Sequence, residues 1–305
     1  MKTSPDKKFE LASGSPRTWI GIGMLLTSVT AFTLNILIIK MAFEDGLDVN
    51  TANAARYIVT IIILFLFLKI RGKQLTLLPK ERYPALALGI TVFMIGVGYV
   101  SATQYIPVSL AVLIFYTAPF LVAIISRFTE NEPITFIRLI AISIAFIGLV
   151  LALDVYSVSS LNWRGIAFAF LAAIGYASLV SVGSRTMRTA DPQSVNIHCL
   201  AAGTVLFVVF LLFTGGPAKF VTQAGWLKLC VSSLTLGVGY VTLFAGLEII
   251  GPFKTSMLMN MEPVLTVILA AILLGERLSS VQFFGAGLVI AGIVLITHEF
   301  RSARY

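Results

Sequence analysis

The stretch that decides the fold runs from Tyr83 to Ser126 and reads YPALALGITVFMIGVGYVSATQYIPVSLAVLIFYTAPFLVAIIS. It contains no Asp, Glu, Lys or Arg. About 20 consecutive apolar residues let a helix cross the hydrocarbon core of a bilayer, so this stretch is long enough for two crossings. The segment therefore predicts an integral membrane protein.

The whole chain is likewise rich in hydrophobic residues and poor in charged ones. Of its 305 residues, 58% are hydrophobic and 12% are charged, whereas a soluble domain carries about 25% charged residues. The net charge of +8 is explained by the preference of Lys and Arg for cytoplasmic loops. We therefore expect a lipid bilayer as partner, and no nucleic acid. The two cysteines, Cys199 and Cys230, lie in apolar runs and predict neither a disulfide framework nor a metal site, and no cofactor is expected.

The apolar runs, read between charges and Pro/Gly positions, predict ten transmembrane helices. The spans are 19–41, 52–70, 84–105, 108–127, 135–153, 163–184, 193–213, 226–247, 254–274 and 279–298. The chain is thus predicted to be an all-α integral membrane protein. With the N-terminus inside, 16 of the 22 Lys and Arg fall in cytoplasmic segments. By the positive-inside rule, the tails at 1–18 and 299–305 are both expected in the cytoplasm.

The second half of the chain repeats the first at a shift of 144 residues. WIGI at 19–22 aligns with WRGI at 163–166, and GVGYV at 96–100 recurs at 237–241 after a small indel. Matches of this length are not expected by chance between apolar helices.

This repeat has a topological consequence. Each copy holds five helices, an odd number, so the second copy enters the membrane from the opposite side. The sequence therefore predicts two inverted five-helix repeats, at 19–153 and 163–298. Inverted repeats are typical of transporters that work by alternating access.

The end of the ninth span carries a resemblance to a known family. Gly275-Glu276-Arg277-Leu278-Ser279 follows Pro263, and a Gly-rich tenth span comes after it. With these features the chain resembles the drug/metabolite transporter superfamily, in particular its EamA-type members, over about residues 18 to 298. The first half departs from the pattern, with Asn131-Glu132 in place of the Gly-Glu pair.

The resemblance implies a ten-helix fold with a central cavity lined by both repeats. It also implies transport of small organic solutes such as amino acids, sugars or other metabolites, frequently as export, and a bacterial inner membrane as location. It does not fix the solute, and a monomer and a homodimer both remain open.

Glu262 is the strongest site candidate. It lies eight residues into the ninth span, where a carboxylate is costly unless it faces the bundle interior. Pro263 beside it cannot donate a backbone hydrogen bond, which frees the carbonyl of Met259. The repeat mate of Glu262 is Ala118, so the charge breaks the pseudo-symmetry. We expect Glu262 to contact the solute or a proton; a protonated Glu bonded between helices is the alternative.

Other polar residues within or near the spans are further candidates for solute binding or coupling. They are Asn260, Tyr99, Tyr240, Tyr116, Tyr176, Asn35 and His198. Tyr99 and Tyr240 follow Gly-x-Gly in the two repeats, and they are either cavity-lining hydroxyls or packing aromatics. Asn260 and Tyr116 are repeat mates. A lone histidine such as His198 is more often structural than a proton carrier.

Two cations lie near outer helix ends. Arg56 and Lys40 are expected to extend toward the interface, as long basic side chains do. The alternative is a role in attracting an anionic solute.

These features favour a secondary transporter over an enzyme. The sequence contains no HExxH motif and no paired Asp motif, and one buried carboxylate cannot do two-group acid/base work. A receptor or structural membrane protein without transport is the main alternative, followed by an intramembrane enzyme. A solute with an ammonium group, such as an amino acid or amine, would suit Glu262, with protons as a possible coupling ion.

Overall fold

The computed structural model describes residues 16–72, 75–129, 135–153, 162–214, 221–274 and 279–302. Within these ranges the chain forms α-helices and turns, with no strand. The helices are α1 (Pro16–Glu44), α2 (Val49–Ile70), α3 (Pro79–Thr103), α4 (Val108–Phe115), α5 (Ala118–Thr129), α6 (Phe136–Ala152), α7 (Trp163–Thr186), α8 (Pro192–Thr214), α9 (Gln223–Ile250), α10 (Pro252–Met259), α11 (Met261–Leu274) and α12 (Ser280–Ser302). The tail before residue 16, Asn131-Glu132 and the motif residues 275–278 lie outside these ranges.

Seven helical stretches in the described ranges are long and apolar enough to cross a membrane. They are α1, α2, α3, the α4–α5 pair, α7, α8 and α9. Helix α6 and most of α12 are apolar but shorter. A helix can span lipid because it satisfies its own backbone groups. The prediction of an all-helical membrane protein is therefore confirmed.

Two of the predicted spans, the fourth and the ninth, are interrupted helices. The first break lies at Tyr116-Thr117, between α4 and α5, and the second lies at Asn260, between α10 and α11. Pro119 and Pro263 follow the two breaks. A proline lacks the N–H that would bond the carbonyl four residues earlier, and its ring clashes there. In both cases that carbonyl belongs to the last residue before the break.

The long helices pack in a regular set of pairs. Helix α1 runs along α9, and α3 runs along α7. Helix α3 also packs on α8, as α2 does on α9, while α6 and α12 pack against each other. Helices α10 and α5 are in contact as well, so the segments next to the two breaks meet inside the bundle.

Small residues bring α6 and α12 to backbone contact. A Cβ atom on Gly148 would lie 2.6 Å from the carbonyl oxygen of Gly285, and one on Gly292 would lie 2.7 Å from that of Ala141. Small residues at helix contacts are the usual means of close packing in membranes. Gly287, on the outer side of α12, has open space around its Cα.

Gly148→Val is expected to destabilise the protein, because the nearest atoms to the added side chain are backbone atoms of α12 and the Cβ atom of Leu288, which cannot move aside. Overpacking a filled interior costs about 1–3 kcal/mol, so we expect a lower free energy of unfolding by about that amount. Gly287→Val is the matched control, with the same change in helix propensity and no steric obstacle. Thermal unfolding of both variants in detergent checks this, and equal melting temperatures would contradict the packing described.

Candidate functional site

Glu262 lies in the first turn of α11, directly after the second helix break. Its Oε2 atom accepts a hydrogen bond from the Tyr116 hydroxyl, with 2.8 Å between the two oxygens. Tyr116 itself stands in the first break, at the end of α4. The hydrogen bond therefore joins the two interrupted helices, one from each half of the chain.

Four aromatic rings form a contiguous group with this carboxylate. The Phe115 ring lies edge-on to Tyr99 and Tyr116, at centroid distances of 6.0 Å and 5.1 Å. It also lies 5.5 Å from the Tyr176 ring. The Tyr99 and Tyr176 rings thus join the Glu262–Tyr116 pair through Phe115. These five residues are termed the carboxylate cluster.

The charge of Glu262 has no cationic partner among the described residues, where no Lys, Arg or His forms an ion pair with it. The N-terminal end of α11 offers partial compensation, because helix N-termini favour anions. Glu262 is only partly buried, whereas Tyr116 and Tyr176 are buried. A carboxylate among aromatic faces can hold a proton or attract a cation such as an ammonium group.

Helix α1 touches the same region. The Thr33 hydroxyl lies 3.5 Å from the backbone carbonyl oxygen of Glu262 and donates to it. The Thr266 hydroxyl donates to the same carbonyl at 2.8 Å. The backbone at the start of α11 is thus held by its own helix and by α1.

Tyr240 lies in a second polar cluster, around Arg56. Arg56 donates from Nη1 to Asn35 Oδ1 at 3.0 Å and from Nη2 to Asn53 Oδ1 at 2.9 Å. The Tyr57 and Tyr240 hydroxyl oxygens share a hydrogen bond at 3.2 Å, and the Arg56 guanidinium carbon lies 5.7 Å from the centroid of the Tyr57 ring. Asn35, Asn53, Arg56, Tyr57 and Tyr240 are termed the guanidinium cluster.

The expectation that Arg56 extends to the outer interface is wrong. Its two amide partners, Asn35 and Asn53, are buried at 3% and 8% exposure, so the guanidinium points into the helix bundle. Asn35 is itself fixed, because its side-chain nitrogen donates to the carbonyl oxygen and the hydroxyl of Ser232 at 2.6 Å and 2.8 Å. The cluster therefore links α1, α2 and α9.

The remaining candidates lie apart from these contacts. Asn260 is buried at the second break, and its Oδ1 has no hydrogen-bond partner among the described residues. The His198 Nδ1 atom lies 2.8 Å from the carbonyl oxygen of Ser194, one turn earlier on α8. No hydrogen bond or ion pair between described residues joins His198 to either cluster. Its observed contact is local to its own helix.

Sequence reasoning missed three members of the two clusters, which are Phe115, Asn53 and Tyr57. A signal for Asn53 was present, because Asn53 and Arg56 are three residues apart on one helix face. Phe115 and Tyr57 gave no such signal, since aromatic residues in apolar helices are common. Their positions depend on the packing of distant helices.

Comparison with known proteins gives a consistent result. The model of the EamA-like transporter family matches residues 19–153 and 163–298. The threonine/homoserine exporter RhtA of Escherichia coli (strain K12) is 26% identical over 274 residues, which cover 90% of each chain. The uncharacterized transporter YyaM of Bacillus subtilis (strain 168) is 26% identical over 258 residues, covering 80% of this chain and 82% of its own. One solved crystal structure has a TM-score of 0.80 at 18% identity, covering 95% of this chain and 99% of the other, and this likeness shows a shared fold only.

Tyr116→Phe is expected to lower the free energy of unfolding by about 1–3 kcal/mol, because it removes the buried hydroxyl that donates to the Glu262 carboxylate. Tyr176→Phe is the matched control, since the Tyr176 hydroxyl has no hydrogen-bond partner among the described residues. Unfolding of both variants in detergent, followed by temperature or denaturant, compares the two losses. A Tyr176→Phe variant as unstable as Tyr116→Phe would contradict this account of the bond.

Proposed function

Since this chain belongs to the EamA-like transporter family, and is a multi-pass membrane transporter of a small solute, we propose that its solute carries an ammonium group. An amino acid or an amine is such a solute. The observation that carries the proposal is the Glu262 carboxylate, which lies within an aromatic cluster and forms no ion pair with any described residue.

The chemistry of the carboxylate cluster supports a cationic group on the solute. An ammonium ion is attracted both by a carboxylate and by the faces of aromatic rings. Tyr99, Phe115 and Glu262 are only partly buried, as a site that admits a small molecule requires. A charged residue inside a transmembrane bundle marks a solute or ion path by default.

We further propose ten transmembrane helices arranged as two inverted repeats, at 19–153 and 163–298, with α4–α5 and α10–α11 each counted as one crossing. The two-fold match of the family model supports this arrangement. The positions of the helix breaks support it too. Helix α4 ends at Phe115 and α10 ends at Met259, and these two residues are 144 positions apart, which is the shift of the sequence repeat.

The packing of the helices supports the same arrangement. If α1, α2 and α3 are exchanged with α7, α8 and α9, the α1–α9 contact becomes the α7–α3 contact, and α2–α9 becomes α8–α3. All four of these helix pairs are in contact in the structure. Two interchangeable halves can pack in two equivalent ways, open to either side of the membrane. Transport then proceeds by rocking of one repeat against the other.

Export from a bacterial cell is the proposed direction, with both termini in the cytoplasm of the inner membrane. A relative named as a threonine/homoserine exporter supports both the direction and the class of solute. The excess of Lys and Arg in the segments assigned to the cytoplasm supports the orientation.

A proton is the proposed coupling ion. Glu262 would hold a proton in one half of the cycle and the solute ammonium in the other, so that the two compete for one carboxylate. The Tyr116 hydroxyl donates to this group, and the rings of Tyr99 and Tyr176 lie in the same cluster. No described Lys, Arg or His forms an ion pair with it.

The proposal is tested in liposomes that contain the purified protein. Uptake of labelled amino acids, amines and sugars is measured with and without a proton gradient. We expect saturable, gradient-dependent uptake of ammonium-bearing solutes. Glu262→Gln should reduce it about tenfold or more, since a charge-assisted contact contributes about 1.5–3 kcal/mol.

Glu248→Gln is the matched control for this substitution. Glu248 is also partly buried, on α9, and it has no described hydrogen bond to the carboxylate cluster. Full gradient-dependent transport by Glu262→Gln would refute the role of Glu262. Uptake restricted to sugars by the unaltered protein would refute the proposed class of solute.

A further inference from the structure

We propose that Arg56 binds a carboxylate of the transported solute, so that the solute is zwitterionic and is held at both ends. Its ammonium group would lie at the carboxylate cluster and its carboxylate at the guanidinium cluster. This inference rests on the proposed function, which assigns the ammonium group to Glu262.

The first argument is the missing counterion of Arg56. Both of its described acceptors are neutral amide oxygens, of Asn35 and Asn53. No described carboxylate forms an ion pair with it, and its Nε atom is buried without a hydrogen-bond partner. A guanidinium has five N–H donors, and enclosing part of a cation inside a protein without a counterion is unfavourable. An anion at this position would supply both the charge and the missing acceptor.

The second argument is that the guanidinium is held in place before any solute arrives. Asn53 lies one turn from Arg56 on α2, and Asn35 on α1 is fixed by two hydrogen bonds to Ser232. The Arg56 guanidinium is therefore oriented by one neighbour on its own helix and one on α1, and the latter is held by α9. A fixed planar fork suits a carboxylate, which accepts two parallel hydrogen bonds from it.

The third argument is that both clusters contact α1 at neighbouring positions along its axis. Thr33 contacts the backbone of Glu262, and Asn35 accepts from Arg56. Two residues along a helix correspond to about 3 Å along its axis. The Phe32 ring also lies edge-on to Tyr240, at 5.4 Å between centroids. A single turn of α1 thus contacts the backbone carbonyl of Glu262 and the guanidinium of Arg56.

A purely structural arginine is the competing explanation, because the guanidinium cluster also links α1, α2 and α9. The two explanations differ in one respect. A structural Arg56 stabilises the protein whatever the solute is. A carboxylate-binding Arg56 discriminates between a solute that has a carboxylate and one that lacks it.

The test compares amino acids with their amides, which keep the ammonium group and the size but have no negative charge. Apparent dissociation constants are measured on the purified full-length protein for L-threonine, L-leucine and L-phenylalanine, each with its amide. The variants are Arg56→Gln, Arg56→Lys and the control Arg71→Gln. Arg71 lies just past the end of α2, over the ring of Phe67, and belongs to neither cluster.

We expect the unaltered protein to prefer at least one amino acid over its amide by about tenfold or more, as a charge-assisted contact implies. Arg56→Gln should bring that ratio close to one, Arg56→Lys should keep part of it, and Arg71→Gln should keep all of it. An unchanged ratio in folded Arg56→Gln would overturn the inference. If Arg56→Gln does not fold, the unaltered protein decides alone, because equal affinity for acid and amide overturns the inference too.

Failure of this inference is distinguishable from failure of the proposed function. Glu262-dependent binding of an amide, with no preference for the acid, overturns only the role of Arg56. Binding that does not depend on Glu262, or no binding of any ammonium-bearing probe, overturns the proposed function.

Discussion

The hydrogen bond between Tyr116 and Glu262 ties together the two places where the helical ladder of this protein is interrupted. In the hydrocarbon core of a bilayer, unpaired backbone and side-chain polar groups are strongly unfavourable. Broken helices are therefore tolerated there only inside the protein, where other groups bond what the break releases. Just after the second break, the Thr33 and Thr266 hydroxyls both donate to the carbonyl of Glu262. The position of the breaks, the burial of Tyr116 and the placing of the aromatic rings all depend on this constraint.

The sequence predicted those parts of the molecule that depend on composition and local spacing. Long uncharged runs such as 83–126 follow directly from bilayer thickness, and the helices lie close to the predicted spans. Glu262 and Tyr116 were singled out for reasons of charge and repeat position, and the structure brings them into contact. Tyr99 and Tyr176 join the same cluster.

What the sequence could not predict depends on contacts between distant helices. Whether Arg56 turns outward or inward is decided by the presence of Asn35 on a neighbouring helix, and no local pattern reveals that neighbour. Tyr99 and Tyr240 have the same sequence context but belong to different clusters. Pro119 and Pro263 did indicate backbone disturbance, but proline alone does not tell a kink from a break.

The packing of the helices is nearly symmetric, whereas the charges are not. At the repeat shift, Glu262 corresponds to Ala118 and Arg56 corresponds to Leu200. The charged residue of each cluster thus has an uncharged counterpart in the other half. In the proposed mechanism the similar halves would allow two equivalent packings, and the unmatched charges would suit a molecule whose two ends differ.

The turn of α1 from Phe32 to Asn35 contacts groups of both clusters. Because one rigid helical turn makes these contacts, a displacement of α1 changes them all in one step. A molecule held at both ends would then leave in a single kinetic event, without a lifetime in which one end stays attached.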